Sequence, residues 1–465
     1  DSLTANTTGS SLVAIGKDAG KANTTGAYNV ALGEGALASN TTADNNTALG
    51  RKALNANTTG SPNIAVGTYA LDANTTGYNN IAIGQNAIGG QTTTNGNIAI
   101  GRDALLVTTG GDNIAIGNYA LDANTTATNN IAVGYNALGV TTTGVNNVAV
   151  GNNVLDANTT GASNTGLGTG ALGANTTAAG NTAVGNAALA VNTTGTGNTA
   201  VGDSALDANT TANYNTGIGR HALSVNTTGA QNTAVGNVAL VANTTGDYST
   251  AVGHQALEQA TTGNNNTAVG AAALYSVTTG SDNLALGIQS GNDLTTGSNN
   301  SFLGHDAGRT GSPGGAVTTG SNGVYIGDES VSSANIQVDW TIASDKRDKT
   351  DVSPLDLGLE FINQLEPVTY RWDKRSKYSD DQSVTPDGTH KEEKLEGGFL
   401  AQDVEVIENQ YGYKHSDKTN LITNLSEDGM MYGIKYSKLV PMLTKAIQEL
   451  STKVEDLEKQ LNNKE

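Results

Sequence analysis

Ile131-Ala132-Val133-Gly134-Tyr135-Asn136-Ala137-Leu138 is one copy of a pattern that fills most of the chain. The opening tetrapeptide recurs as Val13-Ala14-Ile15-Gly16, Val30-Ala31-Leu32-Gly33, Ile64-Ala65-Val66-Gly67, Thr233-Ala234-Val235-Gly236 and Leu284-Ala285-Leu286-Gly287. Its glycines stand at 16, 33, 50, 67, 84, 101, 117, 134 and 151, then every 17 residues to Gly304, with a last gap to Gly327. After each Gly comes x-x-Ala-Leu, then often Ala-Asn-Thr-Thr-Gly, then Asn before the next apolar triplet. Alternation along a strand puts Ile131 and Val133 on one face and Ala132 on the other. Gly134 permits a left-handed turn, and Thr-Thr-Gly with Asn provides the return. Such a unit is too short for a βαβ crossover. It suits a solenoid of short strands, each coil hydrogen-bonded to the next. On this reading a coil buries about three aliphatic side chains. The small Ala face is left for close approach by another chain.

Composition supports a stack over a single compact core. Gly numbers 59 of 465, aromatics are 4%, and most of the apolar content is Ala, Val, Leu and Ile. Large side chains are therefore too few to fill one interior of that size. A net charge of −19 argues against nucleic acid and anionic membrane surfaces as partners. No apolar run is long enough to insert in a membrane. Asp1-Ser2-Leu3-Thr4 lacks the features of a signal peptide and starts within a repeat, so a further attachment region is expected upstream. There is no Cys, hence no disulfide and no thiolate metal site. No metal or other cofactor is expected.

Charge marks the organisation. Residues 1–343 hold 7 basic and 19 acidic side chains, and residues 344–465 hold 17 and 24. The second part is therefore of ordinary globular composition. We divide the chain into a repetitive β-solenoid shaft (1–327), a junction (328–343), a charged α+β segment (344–435) and a C-terminal helix (436–465). Upstream of the junction, Gly308 to Gly315 reads as a loop, and within the junction 334–340 alternates like a final strand. This irregular tip is a candidate receptor contact or a plain adaptor. In the helix, Val440, Leu443, Ile447, Leu450, Val454, Leu457 and Leu461 keep heptad spacing, the mark of a short parallel coiled coil.

Other functions of the repeat find little support. Asn-Thr-Thr matches a glycosylation sequon, but turn chemistry explains it. Calcium-binding nonapeptides are absent, and most Thr lie in turns, unlike an ice-binding ladder. Asp72, Asp122, Asp156 and Asp207 are scattered one to a coil and read as solvated turn decoration. A glycan-cleaving groove would need converging acids.

The C-terminal segment carries four motifs in order. Ser344-Asp345 with Lys349 gives Ser-Asp-x-x-x-Lys; Glu366-Pro367-Val368-Thr369-Tyr370 follows; then Gly398-Phe399-Leu400-Ala401-Gln402-Asp403; and last Tyr436-Ser437-Lys438-Leu439-Val440-Pro441. Together they resemble the intramolecular chaperone of phage tail fibres and tailspikes, the endosialidase-type, self-cleaving peptidase S74 family. The Val-Ala-Ile-Gly repeat is similar to the β-roll heads of trimeric adhesins. The resemblance implies a homotrimer in the virion, made in the bacterial host cytoplasm. It implies as partners an upstream baseplate or tail protein and a host cell-surface receptor, a glycan or envelope protein. It further implies self-cleavage between Ala343 and Ser344, with Ser344 as nucleophile and Lys349 as base, and no activity on external substrates. A base must be partly neutral, which the neighbouring charges of Lys346 and Arg347 and burial would favour. Asp345, Pro367, Tyr370, Gly398, Phe399, Ala401 and Gln402 are the remaining motif residues.

The residues themselves leave alternatives. Five positions separate Ser344 from Lys349, which needs a bend or a second chain to bring them together. Otherwise Ser344 is a helix cap and Lys349 a surface charge. His390 and His415 read as exposed, and Trp372 as core. A bacterial surface adhesin and a glycan-degrading tailspike are the other functional readings.

Overall fold

The structure, a computed structural model, describes residues 1–335, 337, 341–379 and 384–463. These form two compact units, Asp1–Asn283 and Leu284–Glu465. In neither is a described helix long and apolar enough to cross a membrane.

The first unit is a parallel β-solenoid. One short strand per coil runs from β1 (Val13–Ile15) to the last, β16 (Thr267–Val269). Neighbours pair in register, Val13 with Val30 and Ile15 with Leu32. The single short interval does not disturb this: Ile98 still pairs with Ile114. The shortening is absorbed in the turn before. There Thr108 occupies a position held by Asn in most coils, and its hydroxyl donates to Gly110 O, two residues on, at 3.1 Å. Asn124 in the next coil reaches three residues, to Ala127 O at 3.2 Å.

The strand faces are the reverse of the expectation. Ala132 is fully buried inside the coil while Ile131 is 37% exposed, and the same holds along the stack. The physical reason is width. Each coil's interior also takes Ala137 and Leu138, both fully buried, which leaves room only for a methyl group from the strand. The face offered to solvent, or to another chain, is therefore the Ile/Val/Thr face.

What else fills the interior is polar. Two ladders of Asn run through it, one containing Asn158, Asn175 and Asn192, the other Asn164, Asn181 and Asn198, all fully buried. Asn181 Nδ2 donates to Gly195 O (2.8 Å), while Asn181 Oδ1 accepts the N–H of Asn198 (2.9 Å). The sequence pattern places these residues in turns. They are the spine of the stack, each satisfying backbone groups that the sheet leaves unpaired. Burial also removes the amides of sequon residues such as Asn158, Asn175 and Asn192 from solvent.

Winding so tight a coil forces left-handed backbone. Asn129, Asn136 and Leu138 all have φ between 54° and 59°, a conformation that costs a non-Gly residue about 1–2 kcal/mol. Complete burial of a Leu side chain is worth about 1.5–3 kcal/mol, enough to hold Leu138 there. At Gly134 (φ 141°) no side chain fits, since a Cβ would lie 2.2 Å from Gly151 O of the next coil. The acids Asp72, Asp122, Asp156 and Asp207 are half-buried, not fully solvated. Burial raises each carboxyl above its ordinary value, against backbone hydrogen bonds that pull it down.

The second unit opens with three coils, β17 (Leu284–Leu286), β18 (Ser301–Leu303) and β19 (Val324–Ile326). Here Phe302 takes the inward place of Ala and stacks on Tyr325, centroids 5.1 Å apart. The strand expected over 334–340 lies partly outside the described residues, and Ala334, Asn335 and Gln337 form no strand. Beyond lie α1 (Leu359–Ile362), β20 (Val368–Tyr370), β21 (Glu396–Gly398), α2 (Ala401–Gln410), β22 (Thr423–Leu425), β23 (Tyr432–Ile434) and α3 (Leu439–Asn462). The strands form two antiparallel pairs, β20–β21 and β22–β23. Leu357, Phe361, Leu365, Val404, Ile422, Leu439 and Met442 make the core. The long helix α3 thus has two apolar sides. Leu439, Met442 and Ala446 face this core, whereas all seven heptad residues from Val440 to Leu461 are exposed.

Candidate functional site

The bend that Ser344 and Lys349 require is a single 3-10 turn, Lys346–Asp348. Asp345, not Ser344, caps it: its Oδ1 accepts the N–H of Arg347 at 2.9 Å. The Lys349 N–H closes the turn on Lys346 O at 3.3 Å. Reversing the chain in this way places Lys349 Nζ 2.5 Å from Ser344 Oγ. The two side chains meet within one chain, and Ser344 is free of the capping role.

The surroundings differ from expectation in one respect. Residues 341–350 are all exposed, so Lys349 lacks the burial anticipated for a base. Arg347 is turned away onto Asp345, with Nη2 2.6 Å from Oδ2. That side-chain hydrogen bond, helped by the Arg347 N–H, holds the Asp345 carboxyl below its ordinary value. Asp345 therefore orders the turn and occupies the guanidinium together. Ala343 is exposed immediately before Ser344, so the preceding peptide bond is open to approach.

Most other motif residues build a corner around Tyr436. Pro367 is exposed and leads into β20. Tyr370 ends that strand, and its ring meets Trp372 edge-on at 5.4 Å. Burial raises the Tyr370 hydroxyl above its usual value, reinforced by Tyr436 and Glu396. Gly398 is dictated by space, because a Cβ there would fall 2.4 Å from the Tyr436 hydroxyl. That hydroxyl accepts the Phe399 N–H (3.2 Å), and the two rings stack at 6.2 Å. Ala401 and Gln402 start α2, with Gln402 exposed. These positions are a scaffold for the β21–α2 turn.

Three further assignments change. Trp372 is 48% exposed and not core. His390 is exposed, but His415 is partly buried, its Nε2 3.0 Å from Thr423 Oγ1. His305, Asp306 and Asp328 come close enough to suggest a cation site. Their contacts with one another and with Arg309 account for them: His305 Nδ1 lies 3.3 and 3.2 Å from the two carboxylates, and Asp306 also pairs with Arg309 at 2.8 Å.

Reasoning from sequence missed the carboxylates that organise the domain. Glu408, fully buried on α2, accepts the N–H groups of Leu421 (2.9 Å), Ile422 (2.7 Å) and Thr423 (3.0 Å). Glu449 of α3 accepts the Leu359 N–H at 2.8 Å, at the start of α1. The available signal was that Glu408 stands four residues after Val404, on the apolar side of its helix.

Residues 344–413 match the family described as chaperone of endosialidase, peptidase S74, and the match begins at Ser344 itself. This segment is similar to that family. No curated protein and no solved structure matches the chain. The repeat preceding the matched segment is a parallel β-solenoid.

Proposed function

We propose that the chain is the shaft of a phage tail fibre or tailspike, carried in the virion for host attachment. Its chaperone domain drives folding and trimerisation, then cuts itself free between Ala343 and Ser344. The observation that carries the cleavage is the 2.5 Å separation of Lys349 Nζ and Ser344 Oγ, at the first residue of the family match. In this mechanism neutral Lys349 takes the Oγ proton as Oγ attacks the Ala343 carbonyl carbon. The C–N bond breaks, the Ser344 nitrogen takes a proton, and an ester joins the two residues. Water then hydrolyses the ester, leaving an Ala343 carboxylate and a Ser344 with free amine and hydroxyl.

Association of three copies supplies what a lone chain lacks. The exposed α3 seam, with Val440 at 61% and Leu457 at 64% exposure, is covered when copies form a parallel coiled coil. The Ile/Val/Thr faces of the strands provide a second such surface along the shaft. The host receptor, a glycan or envelope protein, contacts the shaft or its irregular end, and an upstream virion protein holds the other end.

Intact-mass measurement of the expressed chain tests the cleavage. The parent gives two fragments divided before Ser344, whereas Ser344→Ala and Lys349→Met each give one uncut chain. A parent that stays whole in a folded assembly, or an Ser344→Ala variant that still divides, contradicts the mechanism.

A further inference from the structure

A solenoid coil ends with donors that need a further coil. In the repeat, the N–H groups of Thr58, Thr59 and Gly60 converge on one oxygen, Thr75 O of the next coil, at 2.9, 3.2 and 3.3 Å. The Thr58 hydroxyl joins them at 3.1 Å. Thr295 repeats the arrangement on Thr318 O, by its N–H at 2.7 Å and its hydroxyl at 2.8 Å. Among the described residues, no coil follows the one that ends in β19. Thr318-Thr319-Gly320 therefore presents the same donors to an open edge.

A carboxylate occupies that edge. Glu427 accepts the N–H of Thr319 on Oε1 (3.2 Å) and that of Gly320 on Oε2 (2.9 Å). The hydroxyl of Thr318 approaches Oε1 at 3.5 Å, and that of Thr319 also donates to it. Beside it Asp428 Oδ2 accepts the Ala316 N–H at 3.3 Å. Gly315 lets the two segments approach, since a Cβ there would lie 2.7 Å from Ser426 Cβ.

The group that supplies the carboxylate is itself fixed. Glu427 sits in the turn between β22 and β23, where Ser426 N–H donates to Met431 O (2.8 Å) and Asp428 Oδ1 accepts the Met430 N–H (2.9 Å). At its base, Glu408 clamps β22 to α2 through Thr423. A continuous chain of contacts thus runs from the chaperone core to the last coil.

We propose that the β22–β23 hairpin is a template for the solenoid's final coil, with Glu427 standing in for the threonine carbonyl that a following coil would supply. The coils are nearly identical, so a slip by one repeat exchanges like contacts for like, and register is weakly specified from within. A hairpin that fits only the open end of the last coil removes that ambiguity. Resting on the chaperone reading above, this means that self-cleavage releases the template after use and exposes its three-residue binding edge. Burial opposes the Glu427 charge, but the hydrogen bonds from Thr319, Gly320 and Thr318 together bring its carboxyl below the ordinary value, consistent with an ionised acceptor.

The test uses the full chain made uncleavable by Ser344→Ala, alone and combined with Glu427→Ala or Glu427→Gln. Amide hydrogen exchange is followed over 318–320, over internal coil 58–60 and over 421–423, the stretch held by Glu408. The uncut chain should protect 318–320 as strongly as 58–60. Glu427→Ala should raise exchange at 318–320 roughly 10- to 100-fold, leave 421–423 unchanged, and slow recovery of β-structure on dilution from denaturant. Glu427→Gln, keeping one acceptor oxygen, should fall between. Unprotected 318–320 in the uncut chain, or unchanged refolding in Glu427→Ala, would overturn the proposal. Because every arm is uncleavable, neither result depends on self-cleavage, which the mass measurement decides separately.

Discussion

At the level of single residues, the chain depends on a few atoms repeated many times. Gly134 is needed both for its φ of 141° and because Gly151 O occupies the space of a Cβ. Gly134→Ala is expected to cost about 1–3 kcal/mol from backbone strain alone, with the clash added. Since coils contact only their neighbours, hydrogen exchange should rise around residues 134–151 and stay unchanged over distant coils such as 24–41. Equal protection in the variant would mean that the stack does not need this close approach. The glycine was legible as a periodic punctuation mark. The buried Asn was not, because the same residue type serves turns and interiors, and only the width of the coil decides between them. Ser344 and Lys349 were legible as a motif, but the Asp345-capped turn that joins them was not. A capping side chain two residues from its partner leaves no periodic signal.

At the level of elements, strands and helix were readable because apolar periodicity survives without tertiary information. Which face of a strand points inward was not readable. Alternation is symmetric, and Ala against Ile would ordinarily place Ile inside; the fully buried Leu138 and Ala137 take the space first. The β22–β23 hairpin has no periodic signature, so its part in holding the last coil became apparent only from geometry. Its carboxylates also set a pH response. Glu427 and Asp428 are both held below their ordinary values: in each, burial opposes the charge, but several hydrogen bonds together outweigh it. Their stabilisation is full above the unfolded carboxylate pKa, about 4, and is lost as pH falls through the lower folded values. Asp72, Asp122, Asp156 and Asp207 have the opposite sign. Their raised values mean that ionisation costs stability, so acidification through those values strengthens the coils. Acid should therefore loosen the hairpin end before the solenoid. Trp372 lies in the C-terminal unit. Its fluorescence should change at a higher pH than the far-ultraviolet circular dichroism of the coils. Coincident transitions would contradict this ordering.

For the molecule as a whole, the repeat solves local bonding and leaves global register open. Most coils satisfy their backbone through sheet pairing and Asn ladders, yet they differ too little from their neighbours to mark their place. The C-terminal domain has what the repeat lacks: a mixed core around Phe361, a hairpin held by its own hydrogen bonds, and an exposed heptad seam on α3. Composition marks a step in charge at residue 344, which lies inside the second compact unit, Leu284–Glu465. The purpose of the division rests on the Ser344–Lys349 contact and the family match. The most direct measurement is the folded yield of residues 1–343 produced alone, beside the full chain, by sedimentation and circular dichroism. The account predicts that the full chain gives a soluble, β-rich trimer while 1–343 alone gives mostly aggregate or misregistered material. Equal yields of soluble, β-rich trimer from both would contradict it.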